Sequence, residues 1–126
     1  MKLAVVIAIG GAMGALGRHF LAGYVTQLVG SSFPWGIFVV NVIGSIFIGV
    51  ITELAGQASF IGEELKTLLV IGFLGAFTTF STFSLDIVEL CQKGLWTSAA
   101  IYVVGSVCLA VMGLVMAMMV TRGIMA

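Results

Sequence analysis

The chain has 126 residues, of which 61% are hydrophobic and only 8% charged, and its formal charge at neutral pH is zero. A soluble domain carries roughly 25% charged residues, so this composition excludes an ordinary globular protein and points to an all-α integral membrane protein. The 17 glycines beside a single proline fit that class, because small residues let membrane helices approach closely.

Four apolar segments follow one another at roughly 3–28, 34–55, 64–91 and 95–121, each near the ~20 residues needed to cross a bilayer core. The connections are short: Gly30–Phe33, Gly56–Gly62 and Gln92–Gly94. The chain therefore reads as one four-helix transmembrane domain over residues 1–126, with both ends on the same side.

In the first segment Lys2 precedes an apolar run, as in a signal peptide. The run continues to about Val29 without a cleavage boundary, so it reads as a mature helix. Gly10 and Gly14 have the spacing for close helix contact. A nucleotide-binding glycine loop would need a strand before it and an acidic residue after it, and neither is present. Arg18 and His19 read as the polar end of this helix. Arg18 either snorkels to the interface or brings a positive charge to a vestibule or dimer contact. One histidine with no carboxylate nearby in sequence is a weak proton relay, so His19 reads as an interfacial polar group.

The second segment carries Asn41, Ser45 and Gly49 on one face, with Gly44 beside them. Asn41 makes an interhelical hydrogen bond or offers its amide to a polar path; helical spacing leaves both open.

The third segment holds the run GFLGAFTTFSTFSLD over 72–86. Thr78, Thr79, Ser81, Thr82 and Ser84 would be costly facing lipid, so the cluster must face protein or a water-filled path. Glycine and paired β-branched threonines weaken a helix, which predicts an interruption near Gly75–Phe80. Phe80 and Phe83 share a face if the helix resumes there. Asp86 and Glu89 read as a solvated helix end.

The fourth segment places Tyr102 and Ser106 one turn apart, on a polar line into the bundle. Met112, Met116 and Met119 form an apolar stripe for packing or lipid contact. Cys91 and Cys108 lack CxxC or histidine spacing and read as small apolar fillers.

Orientation in a membrane follows Lys and Arg in short flanking loops. Lys2, Lys66 and Arg122 fall on the side of the termini, Arg18 and Lys93 on the other. So slight a bias permits insertion both ways up. Two antiparallel copies would then supply between subunits the inverted repeat that larger transporters carry within one chain.

These residues carry a family resemblance. GFLGAFTTFSTF (72–83), GALGR (14–18), FPWGIFVVNVIGSIFIG (33–49) and Tyr102-x-x-x-Ser106 together resemble the Fluc (CrcB) fluoride ion channels over essentially the whole chain. The resemblance implies an antiparallel, dual-topology homodimer in a bacterial inner membrane, conducting fluoride passively through two pores. Its partners are a second copy of the chain, fluoride and membrane lipid, and no nucleic acid. It also implies a central sodium ion on backbone carbonyls of Gly75 and Thr78. Asn41, Phe80, Ser81, Thr82 and Phe83 would line the pores, with Tyr102 and Ser106 along a polar track. The chain departs from the family at Ala76, where a second glycine is usual, at Ala110, where some members carry a hydroxyl, and at Asp86, where glutamate is expected. The chemistry agrees: amides, hydroxyls and freed N–H groups replace fluoride's water without a trapping charge, and a phenylalanine edge is positive.

A small dual-topology multidrug exporter would need a titratable carboxylate inside a membrane segment, and every acidic residue reads as lying near a segment end. A non-conducting assembly subunit leaves the hydroxyl–aromatic cluster unexplained. No nucleophile–base pair or metal constellation suggests an enzyme.

Overall fold

The computed structural model describes residues 1–57 and 61–126, and within them four helical spans are long and apolar enough to cross a membrane. The protein is thus a multi-pass, all-helical membrane protein, with no strand among the described residues. Part of the expected Gly56–Gly62 connection, residues 58–60, lies outside them.

The first two spans are single helices, α1 (Lys2–Val29) and α2 (Trp35–Gln57). Gly30, at φ 102°, returns its N–H to Thr26 O at 2.9 Å, a left-handed exit that glycine adopts without a Cβ clash. Pro34 then stands immediately before α2, where its missing N–H costs no hydrogen bond. The fourth span is α6 (Trp96–Met125), numbered after the pieces of the third.

The third span, Glu63–Gln92, is composite. It opens with α3 (Glu63–Lys66), widens into a π-helical stretch at Thr67–Leu74, tightens into α4 (Gly75–Phe77) and resumes as α5 (Ser81–Gln92). Between α4 and α5, Thr78 has extended backbone angles, φ −75° and ψ 154°. The π-helical stretch has no apolar signature distinct from an α-helix, and nothing in the sequence reading anticipates it.

Glycine contacts hold this span against α1. An alanine methyl at Gly10 would come within 2.6 Å of Leu68 O and 2.9 Å of Phe73 N, and one at Gly14 would collide with Phe73 O. The Gly10–Gly14 spacing therefore presses α1 directly onto the π-helical backbone. Gly49 does the same for α2 on α6, where a methyl would meet Leu114 O. Two apolar clusters complete the packing, one of Phe83, Leu90, Ala99 and Tyr102, the other of Val40, Leu74 and Phe77.

Three sequence readings are corrected here. Arg18 does not end its helix, because α1 continues to Val29 and Arg18 is carried into the span beside α2 and α5. Asp86 does not simply face solvent, because it is half-buried and accepts the Tyr102 hydroxyl at 2.8 Å. Cys108 is exposed on the chain's surface while Cys91 is partly buried, so only Cys91 fills internal space.

At the terminal side, buried Glu53 receives Arg122 Nε and Nη2, each at 3.0 Å, together with the Gln57 amide. Lys2 pairs with Glu64 at 2.9 Å. Two of the three cations counted on that side are therefore neutralised by contact.

The glycine contacts make a paired test. Gly14→Ala should destabilise the protein by about 1–3 kcal/mol, the usual cost of overpacking. Gly11→Ala, where a methyl meets nothing within 4 Å, should be neutral or slightly stabilising through helix propensity. Thermal unfolding of the purified variants in detergent distinguishes them; equal Tm values would show that α1 does not press on the third span.

Candidate functional site

The interruption in the third span is organised by side chains. Asn41, half-buried on α2, donates its Nδ2–H to Thr79 O at 3.0 Å and accepts the Thr79 N–H on Oδ1 at 2.8 Å. One carboxamide thus satisfies both backbone groups of a residue in another span. Asn41 thus makes an interhelical hydrogen bond, and it also lines the cleft between the spans.

Thr79, buried at 8% exposure, in turn starts α5. Its hydroxyl oxygen accepts the Thr82 N–H at 3.2 Å, as a threonine does at a helix N-cap. The same hydroxyl donates to Thr82 Oγ1 at 3.2 Å and lies 3.3 Å from Ser81 Oγ. Thr78 turns away and donates its hydroxyl to Leu74 O at 2.9 Å.

These contacts face a cleft of about 410 Å³ between α2, the third span and α6. Asn41 and Ser45 line it from α2, Gly75, Thr78, Phe80 and Phe83 from the third span, and Ser106 and Ala110 from α6. No charged side chain lines it. Phe80 is 79% exposed and its ring centroid lies 5.6 Å from that of buried Phe83. Ser106 Oγ is buried without a hydrogen-bond partner among the described residues.

A second cleft, of about 530 Å³, lies on the other side of the third span and is charged. Arg18 and His19 of α1 line it with Thr82 and Asp86 of α5. Asp86 and Thr26 also border a third hollow, of about 360 Å³, reaching Ser31, Ser32 and Lys93 at the surface. The Thr79–Thr82 hydroxyl contact links the neutral cleft to the charged one.

The residues singled out from sequence are thus brought together in two groups. Asn41, Gly75, Thr78, Phe80, Phe83 and Ser106 share the neutral cleft; Arg18 and Thr82 share the charged one. Ser81 is exposed on α5. Tyr102, fully buried, packs against Phe83 at 5.1 Å and Phe33 at 5.4 Å and points its hydroxyl to Asp86. Ser106 therefore lines the neutral cleft, while Tyr102, one turn away, lines neither cleft and bonds Asp86. Sequence reasoning passed over Thr79, Ser45 and Asp86 as site residues. A threonine just before a helix start is an N-cap signal, and Ser45 lies one turn from Asn41; Asp86 carried no signal, since its partner Tyr102 comes from another span.

Residues 5–119 match the family model described as CrcB-like protein, Camphor Resistance (CrcB). The chain is 40% identical over 124 residues to the fluoride-specific ion channel FluC of Rhizobium johnstonii, covering 98% of this chain and 99% of that one. It is 46% identical over 113 residues to the protein of the same name from Geobacter sulfurreducens, covering 90% and 91%. With the one from a Shewanella species it shares 50% over 104 residues, covering 82% and 83%. With the match spanning all four helices and the site between them, the chain belongs to the CrcB family.

Proposed function

We propose that this protein is a fluoride-selective channel, working as an antiparallel, dual-topology homodimer that lets fluoride leave passively across a bacterial inner membrane. The observation that carries this reading is the uncharged cleft in which Asn41, Ser45, Phe80, Phe83 and Ser106 meet, in a chain whose relatives are fluoride-specific ion channels. Fluoride gives up strongly bound water only to donors that replace it, and amides and hydroxyls do so without a fixed charge. Phe80 and Phe83 contribute ring edges, which are positive. The dimer carries two pores, with Ser81 and Thr82 continuing the hydroxyl path, Arg18 attracting anions at the charged cleft and Tyr102 and Ser106 along the fourth span.

The second copy is supported by what one copy leaves uncovered. Phe80, Ser81 and Gly75 are exposed midway along the third span, where an uncovered hydroxyl and backbone would meet hydrocarbon. The small difference in Lys and Arg count between the two sides supports insertion in both orientations.

Sodium at the dimer centre fits the groups present. Gly75 and Thr78 carbonyls lack their regular helical donors, because the Thr79 N–H goes to Asn41 and the Thr82 N–H to Thr79 Oγ1. Free carbonyl oxygens are hard ligands of the kind that hold sodium at broken membrane helices. The ion would supply positive charge to offset repulsion between neighbouring anions.

The multidrug-exporter alternative would need an unpaired titratable carboxylate inside a span. The two carboxylates drawn inside the spans are committed, Glu53 to Arg122 and Asp86 to Tyr102. Purified protein in liposomes should release fluoride passively and retain chloride; equal release of both anions, or none of fluoride, overturns the reading.

Two further outcomes follow. Phe80→Ile and Phe83→Ile should each leave the dimer intact and slow fluoride efflux at least about tenfold, a barrier increase near 1.4 kcal/mol. Efflux at the original rate from either folded variant would reduce that ring to packing.

Orientation gives the second outcome. Gly56 and Gly62 have open space around them, so Gly56→Lys with Gly62→Lys should fix one topology, since added cations in short loops set it. Ser31→Lys with Ser32→Lys, at exposed positions of the opposite loop, should fix the other. Either variant alone should fail to protect cells from fluoride, and co-expression should restore protection. Full protection by one variant shown by labelling to be uniformly oriented would exclude the antiparallel dimer.

A further inference from the structure

We infer that Asn41 and Thr79 are positioning residues that open the pair of carbonyls at Gly75 and Thr78, by capturing the two backbone N–H groups that would otherwise close a helix over them. The inference rests on the sodium reading above and assigns it two residues other than the carbonyl ligands named there.

In a continuous α-helix each carbonyl accepts the N–H four residues on. Gly75 O would take the N–H of Thr79, and Thr78 O that of Thr82. Both N–H groups are held elsewhere, the first by Asn41 Oδ1 at 2.8 Å and the second by Thr79 Oγ1 at 3.2 Å. Two captures, by an amide from another span and by a neighbouring hydroxyl, thus release the carbonyls of two residues that line the same cleft.

Side chains win this competition for different reasons. Thr, Ser and Asn offer local backbone groups an alternative to the helical ladder. Asn41 goes further, because its carboxamide also donates to Thr79 O at 3.0 Å. Returning Thr79 to the ladder would leave both ends of that carboxamide unpaired, at the desolvation cost of two buried polar groups. Thr79 completes the device, since its backbone is fixed by Asn41 while its hydroxyl caps α5. The two captures are therefore mechanically linked through one residue. Ordinary α-helix resumes at Ser81, after the first capture and with the second in its first turn.

The test reads sodium binding rather than conduction. Unfolding of the purified wild-type protein in detergent is followed against sodium chloride, with N-methyl-D-glucamine chloride holding ionic strength constant. Wild type should gain Tm with sodium, as any ligand of the folded state requires. Thr79→Val keeps the shape and removes the acceptor; it and Asn41→Leu should raise the half-stabilising sodium concentration at least about tenfold, the worth of one lost hydrogen bond. Thr79→Ser should retain the wild-type value. Where Asn41→Leu does not yield a dimer, the Thr79→Val and Thr79→Ser pair decides. A Thr79→Val protein that is less stable overall yet responds to sodium at the wild-type concentration reduces Thr79 to a helix cap and overturns the inference. A wild-type protein that conducts fluoride but shows no sodium response overturns the sodium reading itself and the inference with it.

Discussion

A backbone group inside hydrocarbon must find a partner within the protein, and at Thr79 both groups find theirs in the carboxamide of Asn41, 38 residues away in sequence. The rest of the site depends on this reciprocal pair. It fixes a non-helical residue at the middle of a membrane span without orphaning its N–H or C=O. It also ties the third span to α2 at the level where Gly44 lets Thr78 and Phe77 approach. With Thr79 held, its hydroxyl is placed to cap α5, and the direction of α5 sets where Phe80, Phe83 and Asp86 point.

The supports of this pair are backbone contacts rather than large side chains. Gly10 and Gly14 put α1 against the carbonyls of Leu68 and Phe73, and Gly49 puts α2 against that of Leu114. Lipid provides no hydrophobic drive between helices, so close packing of small residues supplies the attraction. The π-helical stretch at Thr67–Leu74 occurs where α1 presses hardest. Such widenings gather at functional sites, and this one lies immediately before the segment that carries Gly75 and Thr78.

Charge is handled in two ways. Near the termini, Glu53 is satisfied by the Arg122 fork and Lys2 by Glu64, which removes net charge from that side. Within the spans, Arg18 and Asp86 line one cleft on the far side of the third span, and the cleft containing Asn41 has no charged lining at all. That separation keeps the charged side chains of the spans out of the cleft that Asn41 lines.

The sequence by itself determined the membrane class, the four spans and the importance of the stretch from Gly72 to Asp86, because these follow from local quantities: run length, apolar density, and hydroxyls that lipid does not tolerate. It also marked Gly10 and Gly14 as contact residues through their spacing. What it left open was every relation across spans. Asn41 had two readings until its partner was seen to be the Thr79 backbone; Asp86 looked solvated until Tyr102 was found above it; Arg18 looked terminal until α1 was seen to continue past it. Tyr102 and Ser106 share a helix face by periodicity, yet the packing of Phe83 and Phe33 around Tyr102 sends its hydroxyl away from the cleft that Ser106 lines. Hydrogen-bond partners 16, 38 or 69 residues apart leave no periodic trace, so only the tertiary structure decided them.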